Sequence, residues 1–481
     1  MDKGLTSAIA ANRFGLGARP GELAAIGAAG PEWLKAQLRG PAPEITDEGL
    51  QSSASILAQI YDLRRTIRAE RQSVAGAGAG AGTGTGTGTD GAAAASGAFK
   101  KLKQLIRPVY LAEAGARLRQ SVATDRPFIE RLTHFWANHF AVSVDKSVLA
   151  ALAGSYEREA IRPYVLGNFT DMLLATERHP AMLLYLDNQL SMGPGSRAAR
   201  NIARRNPQRK IGINENLARE TLELHTVGVD GAYTQTDVTA FSEVLTGWSI
   251  VGRQGGWAGA QPGSFLFRAA MHEPGSQVVM GRSYPDTGYD QGAAVLRDLA
   301  RRPATARFIA TKLARHFIAD DPPAPAVVRV AAAFSQSGGD LPTVYRALID
   351  SPEAWEQPVA KYKAAADFIV SAYRGLELPV RADKAPVGLF QLLGQRIWGP
   401  ESPAGWPDRS ADWDGASELL KRIEWADAVG QRVGPRRDAR ELAPQMLGGV
   451  LSGATREAIA HAESAAQALV LLLAAPEFMR R

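Results

Sequence analysis

Cysteine is absent from the 481 residues of this chain. Disulfide bonds, thiolate metal sites and cysteine nucleophiles are therefore excluded. Aromatic residues are scarce as well, at 7% of the sequence, and no apolar run reaches the roughly 18 residues of a membrane-spanning helix. The apolar stretch before Arg13 is only about five residues long, too short for a secretory signal peptide. Without a signal peptide or a membrane span, the sequence predicts a cytoplasmic protein.

Several catalytic signatures are missing too. The sequence has no GxSxG nucleophile elbow, no GxxxxGK[ST] phosphate loop and no GxGxxG motif at a strand–helix junction. It also lacks HExxH and the Glu-x-x-His pair of di-iron helix bundles. Histidine and carboxylate residues are numerous enough to bind a divalent metal, but no ligand spacing supports such a site. The cofactor therefore stays unknown.

The net charge of +6 is modest for a chain of this length, so nucleic acid is not an expected partner. One segment, residues 191–212, concentrates basic side chains and contains no acidic residue. Its basic residues are Arg197, Arg200, Arg204, Arg205, Arg209 and Lys210. Such a segment binds phosphate or another anion in some proteins and is simply solvated in others. The sequence leaves both interpretations open.

Helical periodicity dominates the chain, with loops marked by glycine and proline. We therefore predict a mainly α fold, a large multi-helix globular domain with a small β-hairpin and long loops, spanning residues 1–481. The Ala/Gly/Thr-rich insert at 73–98 has almost no apolar surface and is predicted to be disordered. A hairpin and loop excursion is predicted at 249–290. Its strands come from SFLFRAAMHEPGSQVVMG, with the turn at Glu273 to Ser276.

The densest run of polar groups is NENLARETLELHTVGVDGAYTQTDVTAFSEVLTGW, from Asn214 to Trp248. On a helical wheel, Asn216, Glu220 and Glu223 follow one edge of an apolar face, and Asn214 and His225 follow the other. One interpretation is a carboxylate–histidine cluster at a cleft. The other is a set of structural ion pairs, with an asparagine N-cap and a glycine at the C-terminal end.

Two further segments hold candidate histidines. In FIERLTHFWANHF, the residues Glu130, His134 and Asn138 are four apart and form one polar line on a helix. His272 is predicted to lie on the shoulder of the hairpin, beside Glu273. By contrast, His179 and His316 are interpreted as structural. A histidine on an amphipathic helix more often caps or fills the core than carries chemistry, so structural roles compete with functional ones throughout.

Together these segments predict one cleft between the 127–140 helix, the 214–228 helix and the 265–280 hairpin. In it, Glu220 and Glu223 would act as carboxylates and His225 or His272 as the proton-transfer group or metal ligand. His134 and Asn138 would orient them. General acid–base chemistry requires such groups to lie within hydrogen-bond reach of one substrate.

Several of these segments carry a resemblance to a known family. They include NRFGLGARPGE, LTHFWANHFAVSVDK, the 214–248 run, HEPGSQVVMG, LARHFIADDPP and SPAGWPD. By them the chain is identified as a member of the bacterial family called "domain of unknown function 1800". The resemblance implies a largely helical fold and brings no established activity. Because members of the family are frequently exported, a periplasmic or secreted location is the alternative to the cytoplasm.

Two functions from different classes follow. The first is an acid–base or metal-assisted enzyme, hydrolase-like, acting on a small molecule or polymer that the sequence does not identify. The alternative is a non-catalytic helical scaffold that works with a neighbouring enzyme or an envelope component. Its contact surfaces would be the Trp-rich loops at 248–257 and 398–413, since exposed tryptophan favours interfaces. Burial of Trp398, Trp406 and Trp413 would favour the enzyme.

Overall fold

The computed structural model describes residues 3–78, 89–208, 212–252, 260–356, 361–381 and 385–481. This part of the chain is mainly α-helical, with 24 α-helices and two small antiparallel sheets of two strands each. The predicted fold class is therefore confirmed. None of the helices in the described ranges is long and apolar enough to cross a membrane.

The first half of the chain contains twelve α-helices in its described residues. They are α1 Lys3–Ala8, α2 Glu22–Ile26, α3 Gly30–Gln37, α4 Ser53–Gly78, α5 Thr89–Ala123, α6 Pro127–His139, α7 Leu149–Tyr156, α8 Phe169–Glu177, α9 Pro180–Tyr185, α10 Arg197–Arg205, α11 Asn216–Glu220 and α12 Gln235–Val244. Three segments are π-helical: Ile9–Phe14, Glu157–Ile161 and Thr221–His225.

The second half adds twelve more within the same described ranges. They are α13 Tyr289–Ala300, α14 Pro303–Phe317, α15 Ala324–Ser337, α16 Leu341–Ile349, α17 Glu353–Glu356, α18 Ala365–Gly375, α19 Val387–Leu392, α20 Ala416–Val433, α21 Ala439–Leu447, α22 Gly453–Ala460, α23 Ala465–Ala474 and α24 Pro476–Met479. Local signals set several starts. Proline stands at the first position of α6 and α14, and a Thr234–Asp237 capping box opens α12.

The strands differ from the prediction in their pairing. Strand β1, Trp248–Ile250, pairs with β2, Phe265–Phe267, and β3, Gln277–Val279, pairs with β4, Arg282–Tyr284. The predicted hairpin between Phe265–Phe267 and Gln277–Val279 is therefore wrong, although both strands exist. A two-residue turn at Met280 and Gly281 joins β3 to β4. Both residues have positive φ, as a tight hairpin requires, so β3 pairs with β4 and not with β2.

The insert predicted to be disordered falls partly outside the described residues, at 79–88. On either side of that gap, residues 73–78 belong to α4 and residues 89–98 to α5. The backbone there is helical, as the frequent alanines on both sides favour, since alanine has the highest intrinsic helix propensity. The disorder of the insert at 73–98 stays a prediction.

The core is built around α6. Phe128 packs against Phe14 and Phe317, with ring centroids 5.7 Å away in both cases. About two helical turns later, the Trp136 indole donates a hydrogen bond of 2.6 Å to the Tyr345 hydroxyl. A single cluster of contacting buried apolar side chains extends from Ile9 to Met479. Whether the chain forms one domain stays a prediction, but α6 contacts segments from both halves.

Two long-range contacts position the last residues of the chain beside α6. Residues 361–363 pair with 479–481 through backbone hydrogen bonds, among them Lys363 N–H to the Met479 carbonyl at 2.8 Å. This pairing brings the Arg481 side chain to Asp367 at the start of α18, at 3.0 Å. The buried Arg374 guanidinium donates to the carbonyls of residues 17, 122 and 124. Segments far apart in sequence thus meet around one side of α6.

Candidate functional site

A cavity of about 100 Å³ opens to solvent on that side of α6. Its walls come from α5, α6, α14, the start of α18 and the segment 390–413. The polar residues that line it are Arg117, Arg131, His134, Asn138, His316, Asp367, Gln395, Arg396, Asp408 and Arg481, and the aromatic ones are Tyr362, Phe390, Trp398, Trp406 and Trp413. Apolar walls with a few convergent polar groups are typical of small-molecule sites.

His134 lies on this wall with one ring nitrogen held. Its Nε2 is 3.5 Å from Glu130 Oε1 and 3.1 Å from Ser121 Oγ. Because the Ser121 hydroxyl already donates to the Arg117 carbonyl at 2.8 Å, its oxygen accepts, and Nε2 carries the proton. Burial and the positive charge of Arg117 lower the pKa of His134. At neutral pH the ring is neutral, and its lone pair is on Nδ1.

His316 faces the same cavity from α14, where the sequence predicted only a structural residue. Its Nδ1 lies 3.0 Å from Asp408 Oδ1. Burial lowers the pKa of His316 to about 4 against the opposing effect of Asp408. Burial would raise the pKa of Asp408, but the hydrogen bond from His316 prevails and lowers it to about 2. Nε2 of this neutral ring is buried and makes no hydrogen bond within the described residues.

A chain of buried ion pairs supports the wall behind the first histidine. Both Glu130 oxygens accept from Arg162, at 2.7 and 2.8 Å. Arg162 also reaches Glu157 at 3.1 Å, and Glu157 accepts from Arg117 at 2.8 Å and from the Trp398 indole at 2.9 Å. Burial alone would raise the pKa of Glu130, but Arg162 outweighs it and keeps that pKa well below its usual range. The network thus fixes the Arg117 guanidinium and the Trp398 ring at the cavity wall.

Asn138 holds the loop that forms the opposite wall. Its amide accepts from the Trp406 N–H at 2.7 Å and donates to the Trp406 carbonyl at 2.8 Å. Gly405 has φ +83°, and a Cβ there would lie 2.3 Å from the Asn138 carbonyl oxygen. The loop approaches α6 this closely only because that residue is glycine. Asn138 therefore positions the Trp406 wall.

The central segment is not one regular helix. Helix α11 ends at Glu220, and the π turn Thr221–His225 follows. The wider turn changes the angular step per residue, so the wheel drawn at 100° does not hold for Glu223 and His225. The sequence predicts Asn214 as the N-cap, but α11 has Glu215 at that position, and the Asn214 side chain accepts from the Asn216 N–H at 2.9 Å just before the helix. The C-cap of the π turn is Thr226, and Gly228, with φ +85°, follows two residues later.

The carboxylates of this segment have separate surroundings. Arg219 pairs with Glu215 at 3.0 Å and lies 3.6 Å from Glu223. Glu220 is half-buried, and burial raises its pKa, with the negative Glu223 adding to the effect. Arg219 therefore pairs with Glu215 and Glu223, and no ion pair of 4 Å or less joins it to Glu220.

His225 points into the core and meets a partner that the sequence did not suggest. Its Nδ1 lies 2.6 Å from Glu177 Oε1, and both side chains are fully buried. Nε2 of His139 donates to the His225 carbonyl at 3.1 Å. Burial lowers the pKa of His139 well below its ordinary value. His225, Glu177 and His139 form a compact buried group on the core side of the central segment.

His272 is enclosed by acceptors. Its Nδ1 lies 3.0 Å from the Thr246 carbonyl and its Nε2 3.1 Å from Gln291 Oε1. The Gln291 amide nitrogen donates to the Gly275 and Tyr284 carbonyls, which fixes its oxygen toward the histidine. Both ring nitrogens therefore face acceptor oxygens of the chain itself.

Glu273 has a structural partner instead of a reactant. Its Oε2 accepts from the Gly195 N–H at 2.7 Å. A Cβ at Gly193 or at Gly195 would clash with this carboxylate, since it would lie 2.3 or 2.5 Å from one of its oxygens. The glycines therefore let the 191–197 loop close over Glu273. Just beyond it, Arg197, Arg200, Arg204 and Arg205 of α10 are exposed, while 209–211 lie outside the described residues.

Of the predicted site residues, the structure brings His134 and Asn138 together on one cavity wall. Glu220, Glu223, His225 and His272 are not among the residues that line this cavity. The cavity beside α6, with α14 and the 390–413 segment opposite, thus contains two of the six predicted residues, and the cleft predicted between the other four stays a prediction. Among the described residues, no group of three or more His, Asp or Glu side chains is arranged to hold a metal ion.

The comparisons with known proteins give one result. No curated protein and no solved structure matches the chain. A family model described as "Protein of unknown function (DUF1800)" matches residues 9–480. That match covers nearly the whole sequence, including every residue that lines the cavity except Arg481. The chain therefore belongs to the DUF1800 family.

Proposed function

We propose that this protein is an acid–base enzyme, hydrolase-like, whose active site is the cavity beside α6. The observation that carries the proposal is the pair of neutral histidines on its wall, His134 and His316. His316 Nδ1 is held by the Asp408 carboxylate at 3.0 Å, and His134 Nε2 is held by Ser121 Oγ at 3.1 Å, with the Glu130 carboxylate 3.5 Å away. A carboxylate that fixes the tautomer and orientation of a histidine is the arrangement of general bases in hydrolytic enzymes.

His134 is the proposed base. Its Nδ1 has the lone pair, and the side chain is 18% exposed, whereas Nε2 of His316 is covered. A water molecule would give its proton to Nδ1 as its oxygen bonds to the electrophilic centre of the substrate, and the resulting imidazolium would be stabilised by Glu130. The imidazolium would return that proton to the leaving-group oxygen as the scissile bond breaks. Asp408, which is 21% exposed and held by His316, would position the substrate.

The burial of tryptophan supports the enzyme over the scaffold. Trp398 and Trp413 are buried, and Trp406 is half-buried at the cavity wall. Trp248 is fully buried, and Trp257 lies outside the described residues. The rings expected to form a partner surface thus line a cavity or fill the core. No observation favours the scaffold specifically.

The test is a panel of chromogenic carboxylic, phosphate and sulfate esters and glycosides, hydrolysed by the purified chain. Loss of a general base lowers rates by about 10²–10⁴-fold, so His134→Gln is expected to reduce kcat by that factor. His461→Gln, which changes an exposed histidine, is the matched control and is expected to leave the rate unchanged. An activity that is the same in His134→Gln and His461→Gln would contradict the proposal.

A further inference from the structure

The cavity wall has more positive than negative side chains. Four guanidinium groups line it against two carboxylates, and the two histidines are neutral at neutral pH. The arginines are Arg117, Arg131, Arg396 and Arg481, and the carboxylates are Asp367 and Asp408. Charges in a partly closed, low-dielectric site interact strongly. Glu157 and Asp145, which pair with Arg117 and Arg396, are not among the lining residues, so the groups that line the cavity carry a net positive charge.

The excess is clearest around Asp367. Its carboxylate is shared by Arg131 Nη1 at 3.1 Å and Arg481 Nε at 3.0 Å. Both guanidinium groups are almost wholly buried, so one carboxylate faces two cations with little water to screen them. Burial lowers the pKa of Arg481 to about 10, and Arg131 adds to that effect. An anion in the cavity would relieve this repulsion.

Arg117 offers donors for such an anion. Its Nε donates to Glu157, and its guanidinium lies over the Trp398 ring at 5.4 Å. Within the described residues, its two terminal nitrogens make no hydrogen bond. The flat group is thus held in place from behind by a carboxylate and from one side by a ring, with its terminal N–H groups unused. Guanidinium groups in this state bind carboxylate, phosphate and sulfate through paired hydrogen bonds.

Arg396 lines the same cavity, and both it and Arg117 lie close enough to Tyr110 for their charges to oppose the rise of its pKa on burial. It pairs with Asp145, and both side chains are substantially exposed, at 32% and 60%. Exposed pairs of this kind contribute little, so Arg396 can exchange Asp145 for a ligand at small cost. His134 lies close enough to Arg117 for its pKa to be lowered by that charge. An anion on Arg117 would therefore lie beside the proposed base.

We propose that the cavity takes a ligand with an oxyanion group, a carboxylate, phosphate or sulfate, bound by Arg117 and Arg396 beside Trp398. This inference rests on the proposed function only in that it names the substrate class of the same cavity. The ring of Trp398 would pack against the body of the ligand while its anionic group meets the two guanidinium groups. The three oxyanions share this chemistry, and the experiment separates them.

The experiment measures binding of sodium acetate, sodium phosphate and sodium sulfate to the full chain by calorimetry. Sodium chloride keeps the ionic strength constant, because exposed charges are screened by salt. Saturable binding of at least one oxyanion is expected, and the tightest of the three identifies the group. Absence of saturable binding by all three would overturn the inference.

Two variants locate the anion. Arg396→Gln changes a half-exposed residue and is expected to weaken binding about tenfold, the effect of one lost charge-assisted hydrogen bond. Arg409→Gln is the matched control, since Arg409 is 60% exposed and does not line the cavity. Arg117→Lys keeps the charge and loses the planar pair of donors, and it is expected to weaken binding as well. Equal affinity in Arg396→Gln and Arg409→Gln would overturn the inference.

The same measurement separates this inference from the proposed function. His134→Gln is expected to keep its oxyanion affinity within about threefold, because that side chain supplies no charge at neutral pH. If His134→Gln binds the anion and hydrolysis is also unchanged, the base assignment fails and the anion site stands. If His134→Gln abolishes hydrolysis and no wild-type anion binding is found, the reverse holds.

Discussion

The indole nitrogen of Trp398 donates a hydrogen bond of 2.9 Å to the buried carboxylate of Glu157. This contact joins the cavity loop to the ion-pair network that also holds Arg117 and Arg162. It also explains an unusual backbone, since Trp398 has φ +50°, a value that bulky side chains rarely adopt. The indole hydrogen bond and the cation over the ring keep the residue in that conformation.

Trp398→Phe keeps most of the ring and removes the donor. Glu157 then loses one of its hydrogen bonds in a buried position, and the free energy of unfolding is expected to fall by about 1–3 kcal/mol. Urea unfolding measures the change. Trp425→Phe, which alters a half-buried tryptophan packed on Phe368, is the control and should cost less. Equal losses in both variants would mean that the Glu157 contact adds nothing.

Glu130→Gln tests the centre of the same network. Arg162 would remain buried without the carboxylate that binds both its terminal nitrogens. Removing one partner of a buried pair costs about 3–5 kcal/mol when the other charge is left uncompensated. Because Glu157 still accepts from Arg162 at 3.1 Å, the loss is expected at or below the lower end of that range. Chemical denaturation of Glu130→Gln, beside the exposed control Glu424→Gln, measures this. A loss no larger than that of the control would show that the pair is not a major source of stability.

Local periodicity anticipated part of this arrangement. The four-residue spacing of Glu130, His134 and Asn138 placed all three on one face of α6, and that face does meet the cavity. The partners of these three side chains could not be predicted from the sequence, because Arg162, Ser121 and Trp406 come from other elements. A wheel states which side chains share a face and says nothing about the element that packs against it.

The same limit explains the larger misses. His316 finds Asp408 92 residues away, and His225 finds Glu177 48 residues away. Neither pair has a local spacing that could mark it. The strand segments were recognisable from their residues, but each paired with a different neighbour, since pairing depends on tertiary context. The π turn after Glu220 has no periodicity signal of its own, and it moved His225 into the core.

Lys363 gives the chain a specific pH dependence of stability. It is buried against Ser371 and the Phe478 ring, and burial lowers its pKa to about 7. In the unfolded chain a lysine keeps its proton up to a pKa of about 10.4. Between these values the unfolded state binds more protons, so the free energy of unfolding must rise with pH from about 7 to about 10.

Lys363→Met removes that titration. The variant is expected to be more stable than the wild type at pH 7, and its stability should rise less between pH 7 and 10, the difference reaching a few kcal/mol, on the order of 1.4 per unit of pKa shift. Urea unfolding at several pH values measures both. Lys35→Met, at a partly exposed lysine paired with Asp350, is the control. Parallel pH curves for the wild type and Lys363→Met would refute the assignment.

The acid limb of the pH–rate profile should identify the base. Burial and Arg117 lower the pKa of His134, so the base stays unprotonated as pH falls through the ordinary histidine value of about 6.5. For any ester that the enzyme hydrolyses, kcat/KM is expected to fall only below that pH. The limb should persist in His316→Gln if His134 is the base. A limb at or above 6.5, or one that disappears in His316→Gln, would assign the proton elsewhere.

Gly405 tests whether the Trp406 wall must approach α6 so closely. Gly405→Ala has two costs, a side chain at φ +83° and a Cβ placed 2.3 Å from the Asn138 carbonyl. Gly394→Ala has only the first, since its φ is +86° and nothing lies within 4 Å of its Cβ. A left-handed alanine costs about 1–2 kcal/mol, so Gly394→Ala should lose about that much. Gly405→Ala should lose more and also show faster hydrogen exchange across 398–413 and weaker anion binding. If the two variants behave alike, the close approach of the loop to Asn138 does not shape the cavity.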